Sequence, residues 1–96
     1  MNRNLLKSEE ILHQFITTNC ILDDEKILQT RLLFCHYEKF CREKHIHNAM
    51  TEKQFVNLLK THYALVPRRV MLKGEQRRCL IGITVAPQYR DESIDI

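Results

Sequence analysis

The chain has few glycines, and several classes of ligand site depend on glycine-rich loops. Its 96 residues contain no tryptophan, two prolines and two glycines, Gly74 and Gly82. Two isolated glycines cannot form the glycine-rich loop that holds phosphates, and the GxxxxGK motif of nucleotide-binding proteins is absent. We therefore do not expect this chain to hydrolyse nucleotides.

Long apolar segments are absent as well. No apolar run approaches the roughly 20 residues that a helix needs to span a bilayer. Residues 1–7 lack the uninterrupted apolar stretch of a signal peptide. A length of 96 residues suits one domain rather than two. These features predict a single-domain intracellular protein, in the cytoplasm or nucleus, without membrane contact.

The cysteines do not form a CxxC pair; they are Cys20, Cys35, Cys41 and Cys79. Without a secretory signal, free and partly buried thiols are expected rather than disulfides. Cys41 lies near His45 and His47, but the paired ligand spacing of structural zinc sites is missing. On a helix, Cys35 and Cys41 would also point about 240° apart. No metal or other cofactor is expected.

The positive charge is confined to one segment. Residues 1–50 carry seven basic and seven acidic side chains, residues 51–85 carry seven basic and two acidic ones (net +5), and residues 86–96 have a net charge of −2. A contiguous basic segment of this kind is expected of a surface that binds a polyanion.

The apolar periodicity predicts three helices. The first covers residues 8–20, with Ser8 as its N-cap. After an acidic loop at 23–26 and a short strand at 27–29, the second covers residues 31–44, with Thr30 as its N-cap. The third begins at a capping box formed by Thr51 and Gln54 and places Phe55, Leu58, Leu59 and His62 on its apolar face.

A β-hairpin follows the helices. Residues 66–72 and 77–85 are β-prone, and residues 73–76 predict a four-residue turn. The fold class is therefore α+β, a winged helix-turn-helix with three helices, a short strand and a C-terminal β-hairpin wing. We assign residues 1–7 to an N-terminal extension, 8–85 to the winged helix domain and 86–96 to an acidic flexible tail.

The third helix and the wing together predict a nucleic-acid-binding surface. The helix face alone could be ordinary solvated surface, and charges on a hairpin can protect an edge strand, for which lysine is the usual residue. Four of the five wing cations are arginines, which suit bidentate phosphate contacts, and the amides of Gln54 and Asn57 could read adenine. The predicted binding residues are Lys53, Gln54, Asn57, Lys60, Thr61, Arg68, Arg69, Lys73, Arg77 and Arg78.

No catalytic arrangement is predicted. The five histidines have no serine, cysteine or carboxylate partner at a telling spacing, and the neighbours Cys35 and His36 would point about 100° apart on a helix. A small-molecule substrate is not expected either. We therefore expect a non-catalytic domain.

Several landmarks resemble a known family. They are Phe15, Cys20, Tyr37-x-x-Phe40-Cys41, Met50-Thr51, Phe55, Leu58-Leu59, Arg68-Arg69, Arg78 and Gly82-Ile83-x-Val85. Over residues 11–85 this pattern resembles the C-terminal winged helix domain of helicase–primases of the poxvirus, satellite-phage and plasmid type. That resemblance implies a domain that binds DNA, with duplex expected more than single-stranded DNA. It also implies that the domain works beside a superfamily 3 ATPase motor in the same or a neighbouring chain.

The same landmarks also resemble the regulatory-factor-X type of winged helix. That resemblance implies a sequence-specific transcription factor domain whose wing contributes much of the major-groove reading. The present wing tip departs from that family, because it contains Gly74 alone rather than several glycines.

A protein-interaction winged helix is a further alternative, in which the basic face docks an acidic partner or a neighbouring subunit. It predicts a large exposed apolar patch beside the basic surface, or self-association.

Overall fold

The computed structural model describes residues 7–94. Its elements are α1 (Ser8–Asn19), β1 (Cys20–Gln29), α2 (Thr30–Glu43), α3 (Glu52–Tyr63), β2 (Val66–Leu72), β3 (Glu75–Val85) and a 3₁₀ turn, Pro87–Tyr89. The strands form one antiparallel sheet in the order β1-β3-β2. The predicted α+β winged-helix architecture is confirmed. Most of the predicted N-terminal extension, residues 1–6, and residues 95–96 of the predicted tail lie outside the described residues.

The core is an aromatic cluster contributed by all three helices. Phe15, Tyr37 and Phe55 are fully buried, and the ring centroid of Tyr37 lies 5.7 Å from that of Phe15 and 4.8 Å from that of Phe55. The Tyr37 hydroxyl accepts a hydrogen bond of 3.1 Å from the backbone N–H of Met50, so the connector before α3 is held on the core. His62, predicted on the apolar face of α3, is exposed, and its Nε2 lies 3.4 Å from Glu9 Oε2.

Strand β1 is longer than predicted, because residues 23–26 form a bulge within a ten-residue strand rather than an acidic loop before a short one. Leu22 pairs with Ile83 and Ile27 with Ile81, so four bulged residues lie opposite Gly82 alone. Gly82 has φ +111°. The buried positions of β3 change there from Leu80 to Ile83 and Val85. The bulge and Gly82 thus shift the inward–outward alternation of the β3 side chains by one residue, so that a different set of positions faces the core after Gly82.

The hairpin turn is shorter than predicted. Leu72 pairs directly with Glu75, so Lys73 and Gly74 alone form the connection. Their φ angles of 50° and 82° match a type I′ turn, whose twist suits a two-residue hairpin. The predicted four-residue turn is therefore wrong, and Glu75 and Gln76 belong to β3.

The acidic C-terminal segment contacts α2. The backbone N–H of Asp91 donates to Nε2 of the buried His36 over 3.1 Å, and Lys39 Nζ lies 3.0 Å from Asp91 Oδ2. Hydrogen bonds from Ser93 and from Lys39 hold the pKa of the Asp91 carboxyl well below its usual range. The sequence had predicted a flexible tail here and gave no sign of these contacts.

No helix among residues 7–94 is long and apolar enough to cross a membrane.

The two glycines allow a matched test of the bulge. A Cβ on Gly82 would lie 3.0 Å from Leu65 Cδ2, whereas one on Gly74 would meet nothing within 4 Å. Both residues have positive φ, but φ +111° at Gly82 lies outside the left-handed helical region that alanine can reach. Gly82→Ala should lower the free energy of unfolding by at least about 1 kcal/mol more than Gly74→Ala. Urea denaturation measures the difference, and equal losses would contradict the assigned bulge geometry.

Candidate nucleic-acid interface

An open groove runs between α3 and the hairpin. Its walls come from the N-terminal end of α2, from one face of α3, and from one face and the β2 edge of the wing. The lining residues are Thr30, Glu52, Lys53, Val56, Asn57, Lys60, Pro67, Arg68, Arg69 and Arg78. Cations from two separate elements therefore border the same concave surface.

The helical wall follows from the way α3 begins and packs. Thr51 Oγ1 accepts the N–H of Gln54, and Gln54 Oε1 accepts the N–H of Thr51, so the predicted capping box is present. Phe55 and Leu59 are buried, which directs Lys53, Asn57 and Lys60 to solvent along the groove.

Two predicted helix residues lie elsewhere. The capping box occupies the amide oxygen of Gln54, so only its NH₂ group remains free to bind. Neither Gln54 nor Thr61, which is exposed, borders the groove. On α3 the groove-lining residues of the predicted set are thus Lys53, Asn57 and Lys60.

The wall formed by the wing depends on the register of the hairpin. Arg69 lies directly opposite Arg78, and Pro67 directly opposite the buried Leu80. Side chains two residues apart on a strand share a face, so both arginines project on the core side of the sheet, toward α3. This face of the sheet is called the inner face below.

The other wing cations divide differently. Strand alternation directs Arg68 and Arg77 to the opposite, outer face, although Arg68 still borders the groove from the edge strand. Arg77 pairs with Glu75 at 2.6 Å. Together with Lys73 it lines a second groove, which lies between the outer face of the hairpin and α2.

The positive charge of the α3–wing groove is not neutralised within the domain. The one carboxylate in its lining, Glu52, pairs with Arg31 at 2.8 Å. The ion pairs within residues 7–94 include none of Lys53, Lys60, Arg68, Arg69 and Arg78. Like charges directly opposite on neighbouring strands destabilise a sheet, so the Arg69–Arg78 pair weakens the hairpin unless an anion lies between the two side chains.

Two further residues of the inner face were missed from the sequence. Met71 lies directly opposite Gln76, two residues nearer the wing tip than the arginine pair and therefore on the same face. Met71 is the most exposed large apolar side chain among the described residues, with 62% of its surface accessible. The predicted four-residue turn had assigned Gln76 to the turn and so hid this pairing.

Burial affects three of the four thiol groups of this domain. All four cysteines are free. Burial raises the pKa of Cys20 to about 12 and raises the pKa values of Cys41 and Cys79 as well, which keeps these three thiols protonated. Among the described residues, no three His, Cys, Asp or Glu side chains come together in a way that could hold a metal ion.

The Arg69–Arg78 repulsion can be tested without any ligand. Arg78→Glu should raise the free energy of unfolding by about 0.5–1 kcal/mol, because an opposite-charge pair replaces a like-charge pair. Arg69→Glu should have a similar effect, and the double variant should lose the gain because two carboxylates then oppose each other. Thermal and urea unfolding of the four proteins form a double-mutant cycle, and additive effects of the two substitutions would show that the side chains do not interact.

One comparison with known proteins supports this architecture. The comparison with curated proteins found no match. The model of the RFX DNA-binding domain matches residues 9–87, most of the chain. This match supports the second of the two resemblances and gives no support to the helicase–primase domain. RFX DNA-binding domains are non-catalytic, in agreement with the expectation that the domain is not an enzyme. The chain belongs to the family of RFX DNA-binding domains.

Proposed function

We propose that this domain binds duplex DNA with sequence preference, as part of a transcription factor of the regulatory-factor-X type, and holds the phosphate backbone in the groove between α3 and the wing. One observation carries the proposal: Lys53 and Lys60 of α3 border the same groove as Arg69 and Arg78 of the wing, and none of these cations has an acidic partner in the described residues. Contacts to phosphate fix the position of a protein on DNA but carry no base information.

Base reading is assigned to the wing rather than to α3. The capping box engages the Gln54 side chain, whereas Gln76 and Met71 project from the wing beyond the arginine pair. A glutamine amide can bond adenine in the major groove, and an apolar side chain can contact the thymine methyl group. The two side chains together are therefore suited to an A·T base pair.

An ATPase or primase partner does not belong to this proposal. The landmarks that suggested it are shared with the RFX family, whose model matches the chain. The small turn at Lys73 and Gly74 replaces the glycine-rich tip of that family, so the base sequence that this wing prefers need not be that of other family members.

The salt dependence of DNA binding tests the phosphate contacts. By fluorescence anisotropy, log K should fall with log salt with a slope of about −4 if Lys53, Lys60, Arg69 and Arg78 each neutralise one phosphate. Arg69→Ala should weaken binding and reduce the slope by about 1. Arg42→Ala removes the same charge from an exposed site at the end of α2 and should leave the slope near the wild-type value.

Two further results bear on this proposal. Arg78→Glu should abolish the interaction even though it stabilises the hairpin, which separates loss of binding from loss of folding. Salt-independent binding, equal effects of Arg69→Ala and Arg42→Ala, or no binding at about 100 µM protein in low salt would contradict the proposal.

Selection from a randomised duplex library tests base reading. Glutamate accepts a hydrogen bond from the cytosine amino group, whereas glutamine pairs with adenine. Gln76→Glu should therefore change the preferred base from adenine to cytosine at one position of the selected site and leave the other positions unchanged. Gln14→Glu, which makes the same charge change on the exposed side of α1, should select the wild-type site. An unchanged preference with Gln76→Glu would remove Gln76 from the reading surface.

A further inference from the structure

A buried hydroxyl without a hydrogen-bond partner lies at the start of α2, beside the DNA groove. Thr30 is 5% exposed and lines the groove, and its hydroxyl makes no hydrogen bond to any of residues 7–94. A buried polar group without a partner destabilises a folded domain, so native proteins rarely contain one without a reason. The unpaired hydroxyl therefore indicates a ligand that completes its hydrogen bonding.

The first turn of α2 also lacks a cap. The residue before the helix, Gln29, provides no side-chain hydrogen bond to it, whereas α3 begins with the Thr51 capping box. The N–H groups of Arg31 and Leu32 lie in the first turn and so have no carbonyl partner within the helix. The aligned peptide dipoles of this 14-residue helix add a partial positive charge at the same end. The start of α2 is therefore suited to an anion.

The register of the sheet places the start of α2 next to the arginine pair. Gln29, the last residue of β1, pairs with Cys79, so Thr30 follows at the level of Arg78. Arg69 lies opposite Arg78 on the other side of β3. All three of Thr30, Arg78 and Arg69 line the groove. They thus form a row across the inner face, with the neighbouring backbones about 5 Å apart.

The one carboxylate in the groove lining is already engaged. Glu52 Oε1 accepts a hydrogen bond of 2.8 Å from Arg31 Nη1, a contact that joins the first turns of α2 and α3. Neither Arg69 nor Arg78 forms an ion pair within residues 7–94. An anion that reaches this row therefore meets a hydroxyl, backbone N–H groups and two guanidinium groups, all of which can donate hydrogen bonds to it.

We propose that the start of α2 binds one phosphate group of the DNA backbone, which accepts hydrogen bonds from the Thr30 hydroxyl, from the N–H groups of the first turn and from Arg78. The inference rests on the proposed function, because this phosphate belongs to the duplex held in the groove. The hydroxyl and the N–H groups are fixed by the core rather than by the wing. This phosphate therefore sets the position of the duplex relative to the core of the domain.

Thr30→Val removes the hydroxyl and tests its role. In the free domain the urea midpoint should stay the same or increase, because a methyl group replaces a buried hydroxyl that has no partner. The dissociation constant for a duplex, measured by fluorescence anisotropy, should increase about tenfold, because a hydrogen bond to a charged group is lost. The slope of log K against log salt should not change, because no cation is removed. Thr84→Val makes the same change on β3 outside the groove lining and should leave binding unchanged.

Neutral methylphosphonates, placed one at a time in a duplex of the selected sequence, identify the phosphate. At one position the modification should weaken binding of the wild-type domain and leave Thr30→Val little to lose, whereas elsewhere the two changes should add. NMR titration with inorganic phosphate separates a free ion from DNA. The amide signals of Arg31 and Leu32 should shift on duplex binding, but with phosphate alone only at millimolar concentration, because a free ion lacks the other contacts of the groove.

Three results would overturn this inference. They are a Thr30→Val domain that binds DNA as tightly as the wild type, a loss of stability in the free variant, which would reveal a partner of the hydroxyl within the domain, and saturation of the two amides by micromolar phosphate, which would indicate a site for a small anion. The first of these, with a wild-type salt slope near −4 retained, leaves the proposed function intact. A wild-type domain that does not bind DNA contradicts the proposed function and this inference together.

Discussion

The register of β3 between its two neighbours determines the face on which each functional side chain of the sheet lies. The pairing of Arg69 with Arg78 directs two cations toward α3, and the pairing of Ile81 with both Ile27 and Val66 directs an apolar row the opposite way. A shift by one residue would exchange these surfaces. The two-residue turn at one end of β3 and the bulge opposite Gly82 near the other hold that register.

The hairpin is not optimised for stability alone. Two arginines face each other across the strands without an acidic neighbour, although replacing either with a carboxylate would create a favourable pair. Such an arrangement is expected where a bound anion neutralises the two arginines. Their repulsion destabilises the unbound hairpin and is relieved when phosphate binds. The exposure of Met71 beside these cations is also unfavourable in the unbound domain, because a large apolar side chain in water is stabilised when a partner surface buries it.

Local chemistry made much of this domain predictable. The aromatic stripe of α2, the capping box of α3 and the basic wing were each readable from short-range spacing. The bulge in β1, the length of the turn and the contact of Asp91 with His36 depend on residues distant in the chain. No local pattern reports them. The length of the turn had the largest effect on the predicted site. A four-residue turn at residues 73–76 excludes Gln76 from the strand, so its pairing with Met71 was not predicted.

The bulge opposite Gly82 has a consequence for how the sequence of this domain can change over time. Four residues already project there without a strand partner of their own, so a residue gained or lost in the bulge would alter only its outline. A single residue gained between Gly82 and the turn would instead displace both arginine-bearing strands relative to each other. We infer that related chains will differ in length at residues 23–26 far more readily than within β3.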